Sequence, residues 1–210
     1  MSYFAIIGDL VGSRQMTDRA AVQVRFREAV DEANEVAHTH LTVPLKLTAG
    51  DEVQGITDQP EALVEIMVNL SDALAPASLA WGWGYGELTT DMLDDVSLLD
   101  GPCLHRARDA VSAAKKGSSW LEIAGFPEPA AQVLSALMNL IGSVRADWTE
   151  RQAEVVRASR GRLQVEAAER LGVGPSTVSR TLSAAHASRV FAAEEAAKAL
   201  LASLTWSRAQ

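Results

Sequence analysis

The chain has 210 residues, of which 48% are apolar, enough for one large domain or one medium and one small. A single cysteine, Cys103, excludes an internal disulfide and a cysteine-cluster metal site. The formal net charge is −8. Residues 1–144 hold 9 Lys and Arg against 20 Asp and Glu, a balance of −11, whereas residues 145–210 hold 10 against 7, a balance of +3. That asymmetry suits a nucleic-acid module attached to an acidic body with another task. No apolar run approaches twenty residues and no signal peptide is recognisable, so a cytoplasmic protein without a membrane partner is expected.

Tyr3 to Ile7 is an apolar run ending at Gly8-Asp9, which predicts a buried first strand. Arg19 to Ala37 has helical spacing, with Val22, Phe26, Val30 and Ala33 on one face. Leu45 to Thr48 and Val53 to Ile56 flank Gly50-Asp51, the pattern of a tight hairpin. Pro60 opens a second helix, Glu61 to Leu74. Leu79 to Glu87 alternates Trp81, Trp83 and Tyr85 with glycines, a strand against which other backbone must pack closely. The two tryptophans are read as packing residues, with base stacking as the alternative. Gly101 to Lys116 is a third helix and Trp120 to Ile123 a last strand. The order β-α-β-β-α-β-α-β predicts an α/β fold of ferredoxin-like sandwich type, with helices on one face.

Gly125-Phe126-Pro127-Glu128-Pro129 interrupts this pattern, and beyond it the sequence is helical throughout. The expected organisation is an α/β domain over 1–125, a linker and connector helix over 126–148, and an all-α helix-turn-helix domain with a C-terminal helix over 149–210. The connector, Ala130 to Val144, carries Val133, Leu134, Leu137, Met138 and Ile141, a stripe able to meet a partner subunit.

In the last segment Thr149 is a plausible N-cap for a helix reaching Ser159. A second helix runs from Gln164 to Leu171, then Gly172-Val173-Gly174 makes a tight turn and a third helix starts near Pro175-Ser176. Val178 and Leu182 point inward there, which leaves Ser176, Thr177, Ser179, Arg180 and Ser183 outward. This stretch resembles bacterial helix-turn-helix proteins over about forty residues. The resemblance implies DNA binding, with Arg180 reaching a guanine edge or a phosphate. Arg157, Arg160 and Arg162 precede the unit and are expected to position the DNA backbone. The alternative is a trihelical unit for protein contacts alone.

Asp9, Asp51 and Glu52 stand where strands end. Carboxylates held there by rigid backbone suit Mg²⁺ or Mn²⁺, hard cations that take oxygen ligands and borrow phosphate oxygens. A single such residue is more often a turn former. Taken in order, however, Asp9-Leu10-Val11-Gly12-Ser13 resembles the first metal motif of class III nucleotide cyclases. Gly50-Asp51-Glu52 is similar to their second metal hairpin and to the GGDEF signature of related cyclases. Gly82 to Glu87 resembles the next glycine-rich strand, and Gly101 to Arg108 the helix bearing the cyclases' catalytic Asn and Arg. The resemblance implies metal ligands at Asp9, Asp51 and Glu52, and a nucleotide site using Gly12, Ser13, Arg14, Gly50, His105 and Arg108. It also implies a homodimer. The sequence departs from that pattern at the chemistry: the Asn position holds His105, the Arg position holds Asp109 with Arg108 one residue early, and the purine-selecting Lys position holds Leu47 with Lys46 one residue early. A one-residue shift points a side chain elsewhere.

The whole run, Ile6-Ile7-Gly8-Asp9-Leu10-Val11-Gly12-Ser13-Arg14, then Gly50-Asp51-Glu52-Val53-Gln54-Gly55, then Asp100 to Arg108, resembles the SatD family of bacterial proteins. That resemblance bears on fold; the helix-turn-helix and cyclase resemblances together make the leading expectation a DNA-binding regulatory protein whose N-terminal domain binds a nucleotide or other phosphate ligand with a divalent metal. The alternative is a divergent cyclase or phosphoryl-transfer enzyme in which Arg108 stabilises charge. His38 and His40 are read as surface residues rather than ligands, Cys103 as inert packing, and Arg14 and Arg25 as meeting solvent or carboxylates, with phosphate as the alternative.

Overall fold

A computed structural model describes residues 1–13, 18–48 and 50–206. It contains β1 (Ser2–Leu10), α1 (Arg19–Ala37), β2 (Val43–Thr48), β3 (Glu52–Thr57), α2 (Ala62–Leu74), β4 (Leu79–Glu87), α3 (Pro102–Gly117) and β5 (Leu121–Ala124). Helices α4 (Ala130–Ala146), α5 (Glu150–Ser159), α6 (Gln164–Leu171), α7 (Pro175–Ala184) and α8 (Ala187–Ser203) follow. The protein is of mixed α/β class. Among the described residues no helix is long and apolar enough to cross a membrane.

The sheet order is β2-β3-β1-β4-β5. Strand β1 is antiparallel to both neighbours, and β5 runs parallel to β4. Side chains alternate across a strand, so β1 feeds two cores. Phe4, Ile6 and Leu10 join α1, α2 and α4, while Ala5 and Ile7 join Cys103, Ala107 and Val111 of α3. Helices therefore cover both faces, which corrects the expectation of a single covered face. The reason lies in β4. Its Trp81, Trp83 and Tyr85 fill the first core, and its glycines face α3. A Cβ on Gly84 would stand 2.1 Å from the carbonyl oxygen of Cys103, and one on Gly82 would stand 2.2 Å from that of Ala107. Helix α3 thus lies on a track only glycine can provide. The tryptophans are packing residues: both rings are buried and Trp81 Nε1 donates to Ser71 Oγ at 3.1 Å.

Leu134, Met138 and Ile141 of α4 and Val190, Ala197 and Leu201 of α8 belong to the same core as α1 and α2. Trp206, beyond α8, packs among Phe4, Tyr85 and Phe126 at centroid distances of 4.6 to 5.2 Å. Helices α5 to α7 have a small core of their own, built on Val155, Ala158, Ala167, Ala168 and Val178. Thr149 and Gln152 form a capping box at the start of α5, with Gln152 N donating to Thr149 Oγ1 at 3.2 Å and Thr149 N to Gln152 Oε1 at 2.8 Å. Gly172 ends α6 in the left-handed conformation, φ +65°.

Candidate functional site: an acidic strand end and an exposed helix

Asp9 lies opposite Glu52 in the β1–β3 register. Odd positions of β1 and even positions of β3 face α3, so both carboxylates point to the helix that carries Arg108 and Lys115. Asp51, in the hairpin between β2 and β3, is fixed by its carbonyl, which accepts from Leu10 N at 2.9 Å. Lys115 Nζ donates to Asp9 Oδ1 at 2.7 Å, and Arg108 Nη1 stands 3.4 Å from Glu52. Asp51 accepts from Ser13 Oγ at 2.8 Å and has Arg19 at 3.9 Å. Glu52 also accepts from Thr48 Oγ1 at 2.9 Å and Gln54 Nε2 at 2.5 Å. Burial pushes the Asp9 carboxyl above its ordinary pKa; the Lys115 ammonium opposes this, and the charges of Asp51 and Glu52 add to it.

The carboxylates are the inner layer, 14 to 26% exposed, and their cations the outer one, 45 to 53% exposed. Such half-solvated pairs contribute little to stability, about 0–1 kcal/mol each. They are easily exchanged for another partner. The donor set is chemically right for a hard cation. Its arrangement is not: among the described residues no group of three His, Cys, Asp or Glu side chains is placed to hold a metal, and each of the three carboxylates is already answered by a cation.

Of the residues expected in the nucleotide site, the structure brings Ser13, Gly50 and Arg108 to this end of the sheet. Gly12 and Gly50 take positive φ, +69° and +80°, and Gly50 O accepts from Gln23 Nε2 at 3.3 Å. Arg14 lies outside the described residues. His105 is not part of the cluster: its Nε2 is 2.6 Å from Asp100 Oδ1, at the opposite end of α3 from Lys115. Lys46 is likewise engaged elsewhere, donating to Asp95 Oδ2 at 2.5 Å, and together with Ser97 it holds that carboxyl down to about 2.

In the helical segment, Val178 is buried and Leu182 half-buried, while Ser176, Ser179 and Arg180 are exposed and Thr177 is half-buried. Arg162 is exposed. Arg160, expected to position the DNA backbone, is instead engaged within the chain in this structure. Its guanidinium donates from Nε to Asp72 Oδ2, and in bidentate fashion to Glu194 at 2.6 and 3.0 Å, over the ring of Phe191. Those partners hold its charge firmly against loss despite burial.

The sequence pattern of one family matches residues 3–201. The chain belongs to the SatD family. No curated protein matches it. Among solved structures, a bacterial light-regulated adenylyl cyclase aligns at 11% identity over 58% of this chain and 74% of its own, with a TM-score of 0.46. The Regulator of Polyketide Synthase Expression from Bifidobacterium adolescentis aligns at 16% identity over 95% and 80%, with a TM-score of 0.26. Likenesses this distant say nothing of activity.

Three residues of this SatD-family chain escaped the sequence reading. Lys115 follows Arg108 by seven positions, two helical turns on the same face, so helical spacing alone could have paired them. Arg19 stands at the first position of α1 and reaches Asp51 across space. Arg145 of α4 is buried between the rings of Trp120 and Trp148, 5.1 Å from each centroid, and donates to Asp72 Oδ1 at 2.5 Å. Nothing local announces that contact.

Proposed function

We propose that this SatD-family protein is a DNA-binding regulator. In this reading α5 to α7 form a helix-turn-helix, and the α/β body binds a nucleotide or another phosphate-bearing ligand. The observation that carries the reading is the α6–turn–α7 arrangement. A left-handed Gly172 closes α6, Val178 and Leu182 anchor α7 inward, and Ser176, Ser179 and Arg180 stand outward on its N-terminal half. Side chains so placed reach base edges when the N-terminus of such a helix enters the major groove.

The body's reading rests on Arg108 and Lys115, two half-exposed cations on one helix face above the carboxylates. A phosphate group would compete for both cations. Mg²⁺ or Mn²⁺ would enter only with such a ligand, since the carboxylates alone form no metal cage. The ferredoxin-like reading of the body is supported by the order β2-β3-β1-β4, antiparallel throughout, with α1 and α2 in one core. A homodimer is proposed on the exposed apolar residues Val133 and Leu140 of α4, and light scattering tests it.

The DNA reading is tested by selecting a bound fragment from a random pool and comparing wild type with Arg180→Ala. Loss of a bidentate base contact costs about 1–3 kcal/mol, or roughly tenfold to over a hundredfold in affinity. If Arg180 contacts phosphate, binding weakens alike on all sequences and the salt slope falls by about one. A folded variant that binds as tightly as wild type removes Arg180 as the reader. Failure of wild type to select any DNA at low salt ends the reading.

A further inference from the structure

The body and the helical segment meet at a closed ring of four charges. Asp72 comes from α2, Arg145 from α4, Arg160 from the end of α5 and Glu194 from α8. Asp72 bridges Arg145 and Arg160; Glu194 binds Arg160 through both nitrogens and has Arg145 Nη1 at 3.8 Å. Asp72 and Glu194 are 5% exposed, Arg145 9% and Arg160 21%. Two positive and two negative charges cancel. Such a ring is weak evidence for net stability, because desolvation offsets the attraction, but removing one member strands a buried charge. Its effect is to fix how the elements sit.

We propose that this ring is a latch that lowers the DNA affinity of the α5–α7 unit while closed. The inference rests on the DNA-binding reading above. Two observations set its direction. Arg160 sits where the chain enters α6, yet its charge is consumed by Asp72 of the body and Glu194 of α8. The latch also keeps the unit beside a strongly acidic body: one groove is lined by Val64 and Glu65 of α2 on one side and by Ser179 and Ser183 of α7 on the other. Carboxylates within about a Debye length, ~10 Å, oppose an approaching phosphate backbone. Opening the ring frees Arg160 for phosphate and loosens the hold of α2 on the end of α5.

The ring lies on the sheet face opposite the Asp9 and Glu52 side chains, and a chain of contacts runs from it only as far as the backbone of β1. Gly8 precedes Asp9, and the Trp81 ring lies against Gly8 so closely that a Cβ there would meet it at 2.5 Å. Trp81 donates to Ser71, the neighbour of Asp72. Adjacency is not coupling, so the experiment reads the opening itself.

The test uses the full chain as wild type, Asp72→Asn and Asp94→Asn, the last an exposed control with the same charge change. Amide exchange is followed across α5, α6 and α7. Affinity for a labelled mixed-sequence duplex is measured against salt. Asp72→Asn is expected to speed exchange in α5 to α7 and to steepen the salt slope by about one unit relative to the control, about eightfold more affinity gained per tenfold drop in salt. Unchanged exchange overturns the latch. Faster exchange with a slope equal to the control overturns its control of DNA. Absence of duplex binding by every protein, wild type included, removes the DNA reading and this inference with it. If Asp72→Asn does not fold by circular dichroism, Glu194→Gln is read in the same way. If neither folds, the ring is a folding requirement and not a latch.

Discussion

Gly84→Ala is the sharpest probe of how α3 carries its cations to the acidic strand end. The added Cβ would stand 2.1 Å from Cys103 O and 2.4 Å from Ala107 N. Both obstacles are backbone of a buried helix, so no side chain can turn aside. Restoring ordinary contact requires α3 to lift by roughly 1 Å or more. That lift opens the core in which Cys103, Ala107 and Val111 meet Ala5 and Ile7. Overpacking of this kind costs about 1–3 kcal/mol, and a backbone obstacle places it at the upper end, about 3 kcal/mol. For a chain of this length each kcal/mol lowers the melting temperature by about 2–4 °C, so a fall of about 6–12 °C is expected by calorimetry. Gly12→Ala is the comparison. Nothing lies within 4 Å of its Cβ and only the positive φ of +69° is strained, which costs about 1–2 kcal/mol. The reasoning is refuted if Gly84→Ala melts within a degree or two of wild type, or no lower than Gly12→Ala.

Asp9 has a raised pKa in the folded chain. Between about pH 4 and that raised value the folded state holds a proton the unfolded state has lost, so this group's contribution to stability falls as pH rises. The melting temperature of Asp9→Asn relative to wild type should therefore climb as pH rises from about 4 through the raised value and level off above it; a decline would mean that the Lys115 pair outweighs burial. Cys103 is fully buried and its thiol is pushed up to about 11. It should resist a thiol reagent in the native chain and react fully in denaturant, and stoichiometric labelling of folded protein would contradict its placement against β4. Calorimetric titration with Mn²⁺ and GTP together should give heat with wild type and much less with Asp51→Asn. Mn²⁺ alone should give none with either, and equal heats with Mn²⁺ and GTP for the two proteins would remove the carboxylates from any metal-bearing complex.

Much of the fold is legible because local pattern and punctuation agree. Helices Arg19–Ala37 and Gln164–Leu171 and strand Leu79–Glu87 begin and end where spacing, glycine and proline place them. Asp9, Asp51 and Glu52 are recognisable as a group because each ends or starts a strand next to another. The alternating glycines of β4 announce a close approach but not what approaches. The identity of α3, and hence the second covered face, depends on a crossover that periodicity does not encode.

Arg160 shows why the remainder was missed, and where a signal lay. An arginine just before a helix-turn-helix resembles a phosphate contact, and its actual partner, Asp72, is 88 residues away. No local rule joins them. Yet α2 is buried nearly all round: Ala62 to Val64, Ile66 to Val68, Leu70 and Leu74 are all inside. A helix with so little solvent face cannot carry a carboxylate in its last turn without a counter-charge close by. Asp72 therefore demands a cation from elsewhere in the chain, and the C-terminal segment is the only one with a positive balance. The demand is readable from α2 alone. The pairing could have been inferred from that demand, and it adds to Arg160, expected only to position a DNA backbone, a contact through which the acidic body holds the helical unit.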